Sequence, residues 1–273
     1  MSKAEPRRPR VLFVGRARLR FPLARGLERR FEALSRELDW HQLGSALGGT
    51  SPDPRFVLAR PFPIRRLDGL VYHLALPFRV RRELRRFRPE VVFVQGAQEA
   101  ALVLLARRLA RVRAGVVLDL HGDWRAATRL YGSPARRLLD PFSDALARFA
   151  LRRADAVRTI TAYTTRLVRE EGFEPAAEFP AFMDLDAFTA RPLAPLPVTP
   201  RVLFVGVLER YKAFDVLAEA WRLVAAEEPA AVLHVVGGGT LARLAERLGE
   251  ESRGRVEWAP VLSADEVSAA LDV

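Results

Sequence analysis

Short apolar runs alternate with amphipathic stretches along most of the chain. Apolar residues spaced i, i+3, i+4 and i+7 predict helices, and short runs of β-branched and other apolar residues predict strands. Strands that are apolar throughout and alternate with helices indicate an α/β fold, a doubly wound parallel sheet with helices on both faces. In the first part of the chain the predicted strands are Val11–Gly15, Phe56–Ala59, Glu90–Gln95, Gly115–Leu120 and Ala156–Ile160, and the predicted helices are Pro22–Leu38, Leu70–Phe87, Gln98–Arg111, Pro134–Arg153 and Tyr163–Glu171.

A proline-rich segment interrupts this pattern. Residues 189–200 contain four prolines, so they cannot form a helix or a central strand and are predicted to form an extended, fairly stiff linker. We therefore expect a first domain over residues 1–188 and a second over residues 201–273. The second repeats the alternation, with predicted strands Val202–Val205, Ala231–Val236 and Arg255–Trp258 and predicted helices Phe214–Ala226, Leu241–Leu248 and Ala264–Leu271.

Two Rossmann-like domains that face each other would form a cleft at the carboxyl ends of both sheets, where α/β proteins bind ligands. A complete domain of this kind usually has five or six strands, and the second domain has three predicted ones. We therefore expect the natural sequence to continue beyond Val273.

The composition narrows the functional class. The 273 residues include no cysteine and only four scattered histidines, which excludes disulfides and cysteine nucleophiles and disfavours a zinc site. The net charge is +11, and the excess of basic residues lies in residues 1–197, because residues 198–273 hold more acidic than basic side chains. This favours an anionic partner such as a lipid surface, a nucleic acid or a phosphorylated substrate, with a surface of solvated arginines as the alternative.

One lysine stands out among the basic residues. The chain has 42 arginines and only two lysines, Lys3 and Lys212. Lys212 follows a predicted strand and Gly206 and lies at the start of a predicted helix, where an ammonium and free backbone N–H groups would meet a phosphate. The next predicted strand is followed by Gly237, Gly238 and Gly239. Because glycine has no side chain, these residues either let a ligand approach the main chain or form a structural turn.

Residues 201–271 share a set of residues with a known family: Gly206, Leu208, Lys212, Asp215, Ala220, Trp221, Gly237, Gly239 and Val256–Trp258. Through these residues they resemble the donor-binding domain of the GT-B glycosyltransferases, in particular the retaining glycosyltransferase family 4. Two positions depart from the family pattern, since Val207 replaces an arginine and Ala213 replaces a glycine. The resemblance implies that Lys212 neutralises the diphosphate of a nucleotide-sugar, that Arg210 supplies the missing cation, that Gly206 and the three glycines bind the donor, and that neither a metal nor another cofactor is needed.

The first domain is less similar to this family. Members of the family often have a histidine at the end of the strand that corresponds to Gly115–Leu120, where it touches the donor sugar, and His121 lies at that position here. Asp123 is the predicted partner that orients the imidazole of His121. A structural hydrogen-bonding role is the alternative for His121. We predict that His234 lies in the core and find no functional context for His41 or His73.

Three further family features are missing or replaced. Ala181 and Phe182 replace an Asn-Gly pair, and Gly15–Arg20 replaces a Gly-Gly loop on the acceptor side. The family's pair of glutamates eight positions apart would lie beyond Val273. The resemblance therefore implies little about the acceptor beyond a hydroxyl group.

A basic helix is the remaining candidate surface. Residues Arg79–Arg88 include six arginines around an apolar stripe of Val80, Leu84 and Phe87, which predicts either a solvated surface helix or a patch for anionic lipid head groups or a phosphorylated acceptor. Aromatic residues are not interleaved with the arginines, so nucleic acid is a disfavoured partner.

Together these features predict a retaining, metal-independent glycosyltransferase that uses a UDP- or GDP-sugar and a hydroxyl acceptor. Many related enzymes modify lipid-linked acceptors, so the resemblance implies a cytoplasmic protein, with a peripheral position at the inner membrane face as a further expectation. The alternatives are a nucleotide-sugar epimerase or hydrolase of the same architecture and a non-catalytic module that binds nucleotide-sugars or polyanions. A dehydrogenase is disfavoured because no Gly-x-Gly-x-x-Gly follows the first strand.

Overall fold

The computed structural model describes residues 7–49, 51–125, 139–190, 197–252, 255–260 and 264–271, with residues 192, 195 and 262. The chain divides into two compact units, Met1–Met183 and Asp184–Val273. The division falls shortly before the predicted linker, of which four residues lie outside the described part of the chain. Residues 134–138 of the predicted helix Pro134–Arg153 also lie outside it.

Unit 1 contains a parallel sheet of seven strands in the order β3-β2-β1-β4-β5-β6-β7. The order reverses beside β1, which is the arrangement of a Rossmann-like sheet and places ligands at the carboxyl ends of the strands near this point. Among the described residues of unit 1, the strands are β1 Arg10–Arg20, β2 Asp39–Gly48, β3 Phe56–Ala59, β4 Val91–Gln95, β5 Gly115–Leu120, β6 Ala156–Thr159 and β7 Ala177–Glu178. The helices in the same ranges are α1 Arg25–Glu37, α2 Arg65–Arg86, α3 Ala97–Ala110, α4 Asp140–Arg153 and α5 Ala162–Glu170.

The core of unit 1 forms between the central strands and α3. Val92, Val94, Val116 and Leu118 are fully buried on β4 and β5, and α3 packs close to them because its inner face is rich in alanine. This packing fixes the ends of β4 and β5, and therefore the residues that follow these strands.

The strands β1 and β2 differ from the prediction. β1 extends through Arg20, and its pairing with β2 has a register irregularity between Val14 and Arg18. Residues 15–20 therefore belong to the strand, and the expectation of a loop there is wrong. β2 was not predicted, because its sequence contains polar residues and glycine in place of an apolar run. It forms by pairing with β1 on one side and β3 on the other.

Unit 2 contains three parallel strands, β8 Arg201–Val205, β9 Val232–Val236 and β10 Val256–Ala259, in the order β10-β9-β8. Its helices are α6 Asp186–Thr189, α7 Phe214–Glu227, α8 Ala242–Glu251 and α9 Ala264–Leu271, and Arg210–Lys212 form a 3₁₀ turn. Leu233, Val235, Phe214 and Trp221 are buried in its core. The predicted α/β class with two parallel Rossmann-like sheets is confirmed.

One predicted core residue is not in the core. His234 lies on β9 between the buried residues Leu233 and Val235, and its side chain therefore points to the opposite, half-exposed face of the sheet.

Candidate active site

His121 lies directly after β5, at the carboxyl edge of the sheet in unit 1. Its Nε2 atom is 2.7 Å from Oδ2 of Asp119, and the Gln95 amide nitrogen is 3.3 Å from the same Nε2. Since a carboxylate can only accept, Nε2–H donates to Asp119. Within the described residues, Nδ1 of His121 has no hydrogen-bond partner, so this atom is left to meet a ligand.

Asp119 is buried and joins His121 to a buried arginine. Arg158 on β6 donates from Nη1 to Asp119 Oδ1 over 2.6 Å, and both side chains are less than 10% exposed. Burial alone raises the pKa of Asp119, but the hydrogen bonds from His121 and Arg158 outweigh it and hold that pKa below its usual value. Asp119 is therefore an anion that fixes the imidazole from behind.

Arg158 also anchors the last segment of unit 1. Its Nη2 donates to the carbonyl oxygens of Phe179 and Pro180 over 2.7 and 2.8 Å, and its guanidinium lies over the Phe179 ring. The sequence-based prediction that Asp123 orients His121 is wrong. Asp123 instead accepts hydrogen bonds from the backbone N–H and the guanidinium of Arg125.

Asp119 and Arg158 were missed by sequence analysis. Each is a charged residue inside a mainly apolar strand, Asp119 in β5 (Gly115–Leu120) and Arg158 in β6 (Ala156–Thr159). A charged residue at such a position must be paired when the strand is buried. This requirement could have indicated from the sequence that Asp119 and Arg158 have charged partners.

The remaining histidines of unit 1 have structural partners. His73 on α2 contacts the Gly69 carbonyl through Nδ1 and Glu99 through Nε2, and its hydrogen bond to Glu99 raises the pKa of His73. His41 stacks on Phe87 and lies 3.0 Å from the buried carboxylate of Glu83.

In unit 2, the loop after β8 and the glycine turn after β9 contact each other. The backbone N–H of Leu208 donates to the Gly238 carbonyl, and Leu241 N–H donates to the Leu208 carbonyl. The structure therefore places the loop that leads to Lys212 beside the three glycines, as the sequence indicated.

Two of the three glycines have a structural cause. Gly237 has φ +141°, and a Cβ added there would lie 1.8 Å from the Gly206 carbonyl oxygen. A Cβ at Gly239 would lie 2.5 Å from the Leu208 carbonyl oxygen, whereas one at Gly238 would meet nothing closer than 3.6 Å. The structural-turn interpretation therefore accounts for Gly237 and Gly239, and Gly238 is the glycine whose open side can face a ligand.

The backbone donors of this turn are not all free. The N–H of Gly237 donates to the Ala259 carbonyl, and the Gly237 carbonyl accepts from the Trp258 indole. Directly after the three glycines, the backbone N–H and the hydroxyl of Thr240 both donate to the Glu209 carboxylate, over 3.0 and 2.6 Å. A carboxylate thus occupies the place before α8 where the three glycines were expected to let a ligand approach the main chain.

Lys212 and Arg210 are exposed on the 3₁₀ turn before α7. The Lys212 ammonium lies 5.4 Å from the centre of the Tyr211 ring, within the range of a cation–π contact. The next residue, Ala213, adopts the left-handed conformation with φ 53°. The glycine expected there by resemblance would adopt this conformation more easily.

The basic helix contributes fewer free charges than predicted. Nη2 of Arg79 donates to the carbonyl oxygens of Gly44 and Val57, so this arginine ties α2 to β2 and β3 and is not part of a solvated patch. Val80 and Leu84 are fully buried, as the stripe predicted.

Within the described part of the chain, no group of three or more His, Asp or Glu side chains is arranged to hold a metal ion. Of the helices in that part, none combines the length and apolar character needed to cross a bilayer.

Two parallel Rossmann-like sheets with these loops define the chain as a GT-B glycosyltransferase fold. Residues 23–179 match the family described as "Glycosyl transferase 4-like domain", and residues 199–273 match "Glycosyl transferases group 1". The chain therefore belongs to the glycosyl transferase 4-like family, and its chemistry is glycosyl transfer.

Solved structures show the same fold. Sucrose-phosphate synthase from Thermosynechococcus elongatus has a TM-score of 0.70 at 18% identity, covering 97% of this chain and 73% of that chain. HepE from Anabaena in complex with UDP has a TM-score of 0.56 at 10% identity, covering 97% and 72%. UDP-N-acetylglucosamine 2-epimerase from Rickettsia bellii has a TM-score of 0.54 at 12% identity, covering 96% and 70%. No curated protein sequence matches the chain significantly.

Proposed function

We propose that the protein transfers a sugar from a UDP- or GDP-sugar to a hydroxyl acceptor, with retention of configuration and without a metal or another cofactor. The family supports glycosyl transfer, and the Anabaena structure of the same fold contains UDP. Lys212, with Arg210, would stabilise the charge that develops on the departing nucleoside diphosphate.

One observation carries this proposal. The loop that leads from Gly206 to Lys212 is hydrogen-bonded to the glycine turn through Leu208 and Gly238, so an exposed ammonium and a main chain without side chains lie on neighbouring loops. A diphosphate needs both a cation and backbone donors at close range, and Gly206 and Gly238 have room for its approach.

Glu209 must be accommodated in the same proposal. Its carboxylate accepts hydrogen bonds from the backbone N–H and the hydroxyl of Thr240. The negative charge of this carboxylate would repel a phosphate that approached the Thr240 N–H. We therefore assign the donor phosphates to Lys212, Arg210 and the Gly238 side of the turn rather than to the start of α8.

His121 would act on the sugar from unit 1. Its Nε2–H is held by Asp119, so Nδ1 is the ring nitrogen left to hydrogen-bond with a sugar hydroxyl. Asp119 is a positioning residue in this scheme, because it touches the imidazole and not the substrate.

Titration calorimetry with UDP and GDP tests the donor assignment. Lys212→Ala is expected to weaken binding of the preferred nucleotide roughly ten- to a hundredfold, the value of a charge-assisted contact. Arg210→Ala should weaken it less. Arg247→Ala, which removes an exposed arginine from α8, is the matched control and should bind as the unchanged protein does. Equal affinities for Lys212→Ala and this control would refute the assignment.

Product analysis separates the alternatives. Incubation with UDP- and GDP-sugars and an alcohol acceptor should give an α-configured glycoside from an α-linked donor. Release of an epimerised nucleotide-sugar would assign the epimerase alternative, whose fold the Rickettsia protein shares, and nucleotide binding without any product would assign the binding module.

The acceptor in this proposal is lipid-linked and the protein works in the cytoplasm, peripherally at the inner membrane face. The basic character of residues 1–197 supports an anionic surface as a partner.

A further inference from the structure

The helix α2 has a second apolar face that is exposed. One face packs into the core through Tyr72, Leu76, Val80 and Leu84. The opposite face carries large apolar side chains at the spacing of consecutive helical turns, and we call these five residues the α2 stripe: Leu67, Leu70, Val71, Leu74 and Phe78. Leu70, Leu74 and Phe78 are 58%, 64% and 72% exposed.

Arginines continue the α2 stripe along the same helical face. Arg81, Arg82 and Arg85 follow Phe78 at intervals of three, four and seven residues, so the face is apolar for three turns and cationic at its end. None of these three arginines has an acidic partner among the described residues.

The carboxylates of α2 cannot neutralise this end. Asp68 accepts hydrogen bonds from Arg16, Arg18 and the backbone N–H of Phe62, and Glu83 is buried against His41. These are the two acidic residues of α2. A second copy of the helix therefore offers no free carboxylate to the arginines, so a symmetric dimer through this face would leave them unpaired.

We propose that the α2 stripe and its arginine end dock on a membrane that contains anionic lipids. An interfacial helix of this kind buries its apolar side chains at the level of the acyl chains, and arginines on the same face bind lipid phosphates. The hydrogen bond from the backbone N–H of Phe62 to Asp68 keeps the segment before α2 at the helix start, where the exposed Phe62 and Ile64 extend the apolar surface.

The position of α2 connects this surface with the proposed function. Asp68 and Gly69 at its start lie against Arg16, close to the carboxyl edge of the sheet, where His121 also lies. A lipid-linked acceptor held by the membrane would reach unit 1 from this side. This link rests on the proposed function, but docking itself does not.

Vesicle flotation tests the docking without any sugar donor. The protein is expected to bind vesicles of phosphatidylcholine mixed with phosphatidylglycerol and to be released by high salt. Leu74→Ser with Phe78→Ser should reduce this binding roughly tenfold or more, and Arg82→Glu with Arg85→Glu should reduce it by a similar factor. Leu223→Ser, at a leucine that is 72% exposed on α7, and Arg247→Glu are the matched controls and should leave it unchanged.

Several outcomes would overturn the proposal. The first is the absence of vesicle binding, and the second is equal binding by the stripe variants and their controls. The third is self-association that Leu74→Ser with Phe78→Ser abolishes, because it would identify a second copy of the chain as the partner of the α2 stripe. All of the changed side chains are largely exposed, and unchanged unfolding temperatures would confirm that the variants fold. Vesicle binding without glycosyl transfer would refute the proposed function and leave the docking intact.

Discussion

The close approach of the two glycine turns in unit 2 gives a sharp stability prediction. Gly237→Ala would put a methyl group 1.8 Å from the Gly206 carbonyl oxygen, at a φ of +141° that residues with a side chain rarely adopt. The backbone conformation alone costs about 1–3 kcal/mol. Relief of the clash would move the turn by about an ångström and would disturb the hydrogen bonds of Gly237 with Ala259 and Trp258, each of which contributes about 1 kcal/mol.

We therefore expect Gly237→Ala to lower the free energy of unfolding of unit 2 by about 3–5 kcal/mol. For a unit of this size, 1 kcal/mol corresponds to roughly 4–8 °C in the unfolding temperature, so the transition of unit 2 should fall by more than about 12 °C. Differential scanning calorimetry of the whole chain would measure this shift, with the transition of unit 1 as an internal reference.

Gly238→Ala is the matched control, one residue away in the same turn. A Cβ at this position meets the Pro260 carbonyl at 3.6 Å, an ordinary van der Waals distance, so the expected loss is below about 1 kcal/mol. Equal shifts for the two variants would refute the reasoning. Nucleotide affinity gives a second comparison, because Gly238→Ala should weaken binding at nearly unchanged stability if a ligand approaches its open side.

Three other substitutions test individual contacts. Ala213→Gly should raise the stability of unit 2 by about 1 kcal/mol, because it removes a side chain from a left-handed residue, and a lower unfolding temperature would contradict this. Arg79→Ala should cost about 2 kcal/mol because two partly buried carbonyl oxygens lose their donor, whereas Arg86→Ala at an exposed position should cost little; urea titration compares them. The lowered pKa of Asp119 means that its ion pair stabilises the protein above the ordinary value of 3.8 and that this contribution is lost as the pH falls through the folded-state pKa. Asp119→Asn should therefore lose about 3 kcal/mol at neutral pH and show a shallower acid transition, and an unchanged acid transition would show that Asp119 is not an ion-paired carboxylate.

The central strands and the long helices of both units could be predicted because their apolar residues have a clear period. β4, β5 and α3 differ from the predicted bounds by a residue at most. β2 could not be predicted, since the strand is specified by its partners β1 and β3 rather than by its own composition. Its buried residues include Gln42 and Ser45, which an apolar pattern does not show.

The candidate site was predicted in part for a similar reason. Lys212 and the three glycines are local signals, and the structure brings their loops together. The choice between Asp119 and Asp123 as the partner of His121 depends on the direction in which each side chain points. Alternation along β5 directs Asp119 into the interior toward Arg158, whereas Asp123 lies beyond the strand and pairs with Arg125.

Because Lys212 is exposed and lysines are rare in this chain, reagents that modify amines would react at few side chains. Arginine guanidinium groups do not react with acylating reagents at neutral pH, and the chain has only one other lysine, Lys3. Apart from Lys3 and the α-amino group, a fluorescent active ester would therefore mark the 3₁₀ turn before α7, with little background from the 42 arginines. A ligand that covers this ammonium would slow the labelling, so the protein carries its own reporter of occupancy without an introduced cysteine.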